Sequence, residues 1–395
     1  RAVPWIPSNS RFPLASEILK SERKRRSGKK TRSTSGAAGP AGKNGRARKR
    51  KSAVREWLDA LVFAVVVMLV VRTLIFDLFR IPTPSMEKNL LVGDYLFVSK
   101  LHYGTRTPMT LGIPFTQIHL PGVKIPSTRF PGFSEVKRGD AIVFNWPDDR
   151  ENPVDRKTHY IKRVMGLPGE TIQLIDKRVH VDGEAVELAT GMQQWWNVYK
   201  TDPRVRLAPS ALVELGIDPA TQVRTAANSL LVQVVATPEA VEEIRRWPWV
   251  ERVEPFITRP NPEYREQLYP KGSDYTTDNY GPVVLPGKDL TFDLTDENWS
   301  YLEPVIRRYV GLSTERGSEG EFLIDGLPAT TFTFSQNYYF VMGDYRDNSE
   351  DSRFWGVVPM DHIVGKAVLI YFSWDADAHL PRFTRLFKSI DEKYY

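Results

Sequence analysis

The chain has no cysteine in its 395 residues, which excludes disulfides, thiolate metal sites and every cysteine nucleophile. Covalent chemistry is left to Ser, Thr, Lys or a carboxylate. A clean membrane span is also missing: the longest uninterrupted apolar run, Ala60–Val71, has twelve residues, below the roughly eighteen that mark an unambiguous one. Neither an internal repeat nor a cluster with metal-ligand spacing is apparent, so no metal and no cofactor is expected.

What is present has a globular composition. Hydrophobic residues at 41% and charged residues at 26% allow a real core, and the length leaves room for two folded units at roughly 100–200 residues each. The net charge of +6 conceals an asymmetry: residues 20–51 carry fourteen Lys and Arg against the single acid Glu22, so that stretch is +13 and the rest of the chain −7. Between the basic runs, residues 33–42 are Ser, Thr, Gly, Ala and Pro with no apolar periodicity, so residues 1–53 read as a disordered basic arm. A merely solvated tail explains the arm as well as a binding role does. No aromatics interleave with the charges of residues 20–51, and nucleic acid is not an expected partner.

Residues 54–79 read as a transmembrane helix. From Trp57 to Phe79 a helix would span roughly 35 Å, about a bilayer core. Asp59, Arg72 and Asp77 interrupt it, and a buried core helix is the competing reading. Trp57 and Phe79 as interfacial anchors, Arg72 near enough to one end to snorkel, and basic residues crowding only the N-terminal flank favour the membrane. The positive-inside rule then keeps the arm in the cytoplasm and puts everything after Arg80 outside. No small-x-small site follows the run, so the segment is expected to persist as an anchor. The chain opens on Arg1 rather than Met, which leaves its native start an open question.

Beyond the anchor the pattern changes to short β-type runs: Leu96–Val98, Ala141–Phe144, Tyr160–Val164, Thr171–Ile175 and Arg178–Val181. Turn pairs such as Gly93-Asp94, Gly139-Asp140 and Asp182-Gly183 bound them. Residues 80–192 and 321–375 therefore read as two parts of one β core, the second carrying Phe322–Ile324, Thr331–Phe334 and Tyr338–Met342. Residues 193–320 differ in texture, with a helix predicted after Thr237-Pro238, another around Trp299–Tyr309, and Pro-rich connections. The fold class is mainly β: an N-terminal transmembrane helix, then an antiparallel β catalytic domain with a large α+β insertion, closed by a tail over 376–395.

Three segments carry candidate chemistry. Ile81-Pro82-Thr83-Pro84-Ser85-Met86-Glu87 holds Ser85 in a stiff, extended turn just where the chain leaves the anchor; alone, such a serine is ordinarily a loop residue. In Tyr160–Val164, strand alternation puts Lys162 on the face of Tyr160 and Val164, where burial would lower a lysine pKa and make the amine a usable base. A lysine snorkelling from an edge strand is the ordinary alternative. Gly343–Arg353 packs hydroxyls and alternating charges into one turn-rich stretch; its spacing is wrong for an EF-hand, and a structural ion-pair network is the better reading.

Together these segments resemble the bacterial type I signal peptidases. The membrane-edge box reads IPTPSMEKNLLVGDYLFVSK over residues 81–100, the lysine box YIKRVMGLPGE over 160–170, and the last box GDYRDNSEDSRFWGVVP over 343–359, in the family's order. The similarity covers residues 55–188 and 320–375, and more weakly the insertion, including Asp278-Asn279-Tyr280-Gly281-Pro282. The resemblance implies a Ser–Lys dyad with Ser85 as nucleophile and Lys162 as base, and an oxyanion hole from the Ser85 N–H and the Thr83 hydroxyl. It further implies that Ser349 orients the amine and that Asp351 and Arg353 form a supporting ion pair. Ile81, Met86, Leu90, Leu96, Val143, Tyr160 and Ile161 would line shallow pockets for small side chains at the first and third positions before the cut. The implied partners are secretory preproteins and the lipid bilayer, and the implied location is the bacterial cytoplasmic membrane. Whether the insertion also recruits the protein translocation machinery is left open.

Two departures from the family pattern are visible. Pro84 stands where the family often has Gly or Ser, and Lys88-Asn89 replaces a usual Pro-Thr pair, so the turn after the serine is expected to differ in shape. Two rival readings remain. His159 suggests a Ser–His hydrolase, but alternation sends it to the face opposite Lys162 and Ser85 has no Gly-x-Ser-x-Gly elbow. The other is a catalytically inactive, membrane-tethered β-domain that binds envelope or secreted partners, suggested by the size of the insertion.

Overall fold

The structure is a computed structural model that describes residues 52–112, 118–187, 190–226 and 228–390. The arm expected over 1–53 lies almost wholly outside the described residues.

Helix α1 (Ala53–Leu74) has Glu56 in its first turn and Arg72 in its last, a polarity that complements the helix dipole. None of its residues is buried, so the core-helix reading loses its basis, and α1 is long and apolar enough to cross a membrane. It stops at Leu74, short of the expected Phe79. The next residues form strand β1 (Phe76–Arg80) instead. Asp77 explains the stop: a carboxylate is costly inside a span but can be paired beside one. It accepts from Arg72 at 2.5 Å and lies 3.3 Å from Lys100 Nζ.

Six more strands complete the path of the main sheet: β2 (Asp94–Ser99), β3 (Ala141–Asn145), β4 (His159–Gly166), β5 (Tyr338–Met342), β6 (Val358–Pro359) and β7 (Ile363–Asp375). Their order is β1-β2-β7-β3-β4-β5-β6, antiparallel throughout. The five residues of β3 show how the two-residue period builds a core on both faces of the sheet. Ala141 and Val143 join Ile81, Met86, Leu90 and Leu96, whereas Ile142 and Phe144 join Val164, Val341 and Trp355. Each such aliphatic side chain contributes about 1.5–3 kcal/mol on burial. Beyond Asp375 the chain is not a loose tail. Leu380–Pro381 and Lys388–Ser389 pair back onto β7, and Arg385 bonds Asp94 at 2.5 Å.

The stretch expected as one insertion divides in two. Gln194–Lys200, Val223–Thr225, Leu231–Ala236 and Val250–Pro255 form a separate four-stranded sheet. Helix α2 (Pro238–Arg245) starts, as its sequence predicts, with Thr237 as the cap and Pro238 at the first helical position. This part has its own core of Trp196, Val198, Val234 and Ile244. The later half joins the main body: Tyr280–Val284 pairs with Thr171–Ile175, and Tyr301, Leu302 and Val305 of helix α3 (Asp296–Val305) pack with Met165, Tyr338 and Phe340.

Candidate active site

The residue before a proline is driven to extended backbone, and Thr83 obeys, with φ −127° and ψ 152°. Pro84 then opens a single 3-10 turn, Pro84–Met86, with Ser85 at its second position. An N–H at that position has no partner within the turn. Met86 and Leu90 pin the turn from beneath, each with zero exposure.

Lys162, opposite Ile142 in the β3–β4 register, is 3% exposed, and its Nζ lies 2.6 Å from Ser85 Oγ. Burial pushes its amine down to about 8, against the pull of the Asp351, Asp344 and Glu350 carboxylates. The Tyr160 ring stands 5.6 Å from the same Nζ. At neutral to mildly alkaline pH a useful fraction of this amine is uncharged and can accept the Ser85 proton.

The third segment wraps this pair. Tyr345 N–H donates to the Ser85 carbonyl at 3.0 Å. Arg353 bonds Asp351 at 2.9 Å with both side chains buried, and Asp351 also accepts from the Gly343 N–H. A side chain at Gly343 would collide with Ser349 Oγ and the Ser85 carbonyl, which explains the glycine by close approach. Ser349 does not hydrogen-bond Lys162: its buried hydroxyl lies by the Asp351 carboxylate instead. The expected orienting contact is therefore not made, although the residue lies beside the serine.

A cleft of about 420 Å³ opens in front of Ser85 and Lys162. Ile81, Thr83, Leu96, Val143, Tyr160 and Ile161 line it, joined by Phe79, His159, Asn348 and Glu350. Met86 and Leu90 do not: the short turn directs both into the core, where they pack with Val98 and Ile370. Thr83 makes no capping bond with its side chain. His159 is no partner of the serine, since its ring lies 5.0 Å from that of Phe79 and its Nε2 is 3.4 Å from Asn145 Nδ2.

Sequence reasoning missed one element that holds the site together. Arg163 and Asp344 form a buried two-pronged pair at 2.7 and 2.5 Å, and Asn89 Nδ2 donates to the same carboxylate at 2.8 Å. Asp344 thus ties the lysine strand to the loop after the serine. The signal was available in alternation, which turns Arg163 away from the Lys162 face into a layer where only a buried carboxylate can match it.

A family model described as signal peptidase, peptidase S26, matches residues 54–231 and 294–374. The chain belongs to that family. As an S26 signal peptidase family member it is a serine peptidase, and α1, ahead of Ser85 in the chain, is long and apolar enough to cross a membrane. Among curated relatives, the signal peptidase I of Buchnera aphidicola from Acyrthosiphon pisum is 26% identical over 309 residues, 78% of this chain and 71% of its own. That of Haemophilus influenzae is 27% identical over 367 residues, 86% and 76% of the two chains. A solved signal peptidase I from Enterococcus faecalis V583 covers 59% of this chain and 97% of its own, at 14% identity and a TM-score of 0.21, too low to bear on the fold. The S26 match breaks over residues 232–293, which contain α2 and the strand Tyr280–Val284.

Proposed function

We propose that this S26 peptidase removes N-terminal signal peptides from secretory preproteins, with Ser85 as nucleophile and Lys162 as general base. The observation that carries the reading is the 2.6 Å approach of a largely buried amine to the Ser85 hydroxyl, inside an apolar cleft. Neutral Lys162 takes the Ser85 proton as Oγ attacks the scissile carbonyl. The oxyanion meets the Ser85 N–H and the Thr83 hydroxyl, each such donor typically worth about 3 kcal/mol. The proton then passes to the leaving amine of the mature protein, and a water activated by the same lysine releases the signal peptide from the acyl-enzyme.

Specificity for small side chains at the first and third positions before the cut follows from the shallow cleft lined by Ile81, Leu96, Val143, Tyr160 and Ile161. An extended substrate would add as a strand beside the Ser85 turn. Helix α1 crosses the bacterial cytoplasmic membrane once, with the basic arm inside and the β body outside, and so holds the dyad where a membrane-held signal peptide presents its cut site. Asp351, Arg353 and Ser349 brace the turn that carries the serine.

The test is cleavage of a secretory precursor by the detergent-solubilised full chain and by its Ser85→Ala and Lys162→Ala variants. Both variants are expected to lose cleavage while keeping the parent's unfolding midpoint within a few degrees. Normal processing by either would sink the dyad.

A further inference from the structure

A second cleft, of about 440 Å³, opens where α1 ends. Arg72, Lys100, Arg106 and Arg156 converge on it from three pieces of chain, against the two carboxylates of Asp77 and Asp155. The acids are already engaged. Asp77 holds Arg72 and lies near Lys100, while Asp155 accepts from Met109 and Thr110 N–H and from the Thr110 hydroxyl. The lining thus holds four cationic side chains against two carboxylates. Burial first, then the Arg106 and Arg72 charges against the pull of Asp77, push the Lys100 ammonium below its usual range. An anion entering here would relieve that repulsion.

The surroundings say what kind of anion. Arg72 and Thr73, the last residues of α1 to line the cleft, are followed by the exposed Leu74, Ile75 and Leu78. Leu111, between the lining residues Thr110 and Gly112, is also exposed, as are Ile118 and Leu120 at the start of the segment His119–Lys124 that pairs with Thr110–Gly112. A cationic floor with apolar neighbours, at the point where a spanning helix leaves the bilayer, matches a molecule with an anionic head and hydrocarbon chains.

We propose that this cleft binds the phosphodiester headgroup of an anionic phospholipid in the leaflet that α1 meets at its C-terminal end. The acyl chains would lie along α1 and the exposed leucines. Bound there, the lipid would hold the β body against the bilayer, and its headgroup would face Phe79 and His159, which form a wall shared with the Ser85 cleft. The proposal rests on α1 being a membrane span.

The test reconstitutes the full chain, Arg72→Gln and Arg156→Gln into phosphatidylcholine nanodiscs containing a trace of phosphatidylglycerol, and measures the enrichment of phosphatidylglycerol retained by the protein after detergent exchange. The basic arm is present in all three, so the difference between them reads the cleft alone. Each substitution is expected to lower the enrichment about fivefold, the effect of one cation near a lipid surface. Glycerol phosphate, which has the head without the chains, should compete at best weakly. Enrichment equal in the parent and both variants overturns the site, as does full competition by glycerol phosphate, which would make it a soluble-phosphate site. Failure of the parent to enter nanodiscs at all overturns the span and the lipid site together. Arg252→Gln, on the separate sheet of residues 194–255, serves as a charge control and should change nothing.

Discussion

The two clefts on either side of Phe79 and His159 each contain a lysine, buried in one and partly buried in the other, and the two lysines have been put to opposite uses. Lys162 is 3% exposed and its amine meets a hydroxyl, Ser85 Oγ; among the described residues no carboxylate comes within ion-pair distance of it. Lys100 has a carboxylate oxygen of Asp77 at 3.3 Å and the Arg72 and Thr73 carbonyls at 2.7 and 3.4 Å. An ammonium has three donors, and the second site supplies three acceptors. Burial lowers the pKa of both amines. What separates them is the company: a hydroxyl that can give a proton makes a base, whereas a carboxylate and two carbonyls keep a cation.

That contrast breaks most sharply in the rates. Lys162→Ala removes the proton acceptor, and cleavage of a precursor under single-turnover conditions is expected to fall about a thousandfold or more, the upper range for a general base. A variant that cleaved within tenfold of the parent would place the base elsewhere. Asp77→Asn probes the other cleft. It leaves Lys100 and Arg72 without their carboxylate in a partly buried place, so the loss is expected in stability, about 3 kcal/mol by denaturant unfolding, with only a minor change in cleavage rate. A large rate loss with unchanged stability in Asp77→Asn would mean that the two clefts are not separable.

The pH dependence sharpens the same point. The reactive form of Lys162 is neutral and its pKa is pushed down to about 8, so activity should be full above that value and fall about tenfold per unit as pH drops well below it. The sign is that of a base. A cationic role like that of Lys100 would give activity that fell as pH rose.

Much of this was legible in the chain itself. Thr171–Ile175, Arg178–Val181 and Tyr338–Met342 are strands to the residue, because each is a β-rich run cut by turn residues. The Asp182-Gly183 hairpin forms with both residues at positive φ, as such a pair predicts. The Ser85 turn, the Lys162 strand and the Gly343–Arg353 loop come together. What stayed hidden depends on long-range packing. Nothing in the local pattern says that Met86 and Leu90 point into the core instead of the cleft, since both faces of the turn accept apolar side chains. The end of α1 was misplaced because hydropathy counts Ile75, Leu78 and Phe79 alike as span, while Asp77 had a partner, Lys100, far away in sequence. The insertion divided because its later half pairs with Thr171–Ile175, a contact across more than a hundred residues that composition cannot register.

The mildest probe of the contrast is Glu350, an exposed carboxylate that lines the Ser85 cleft without pairing with Lys162. Its charge pulls the lysine amine up, against burial. Glu350→Gln should therefore lower the pKa of the base and move the acid limb of the rate profile to lower pH, raising cleavage below pH 8 by about twofold or less, since water screens an exposed charge. The rate on the alkaline plateau should not change. If the limb moved the other way, or if added salt did not shrink the difference between Glu350→Gln and the parent, the carboxylate would be acting on the substrate and not on Lys162. The amine's pKa would then be set by burial working against the pull of the buried Asp351 and Asp344, and the difference between the two lysines would be set wholly inside the protein.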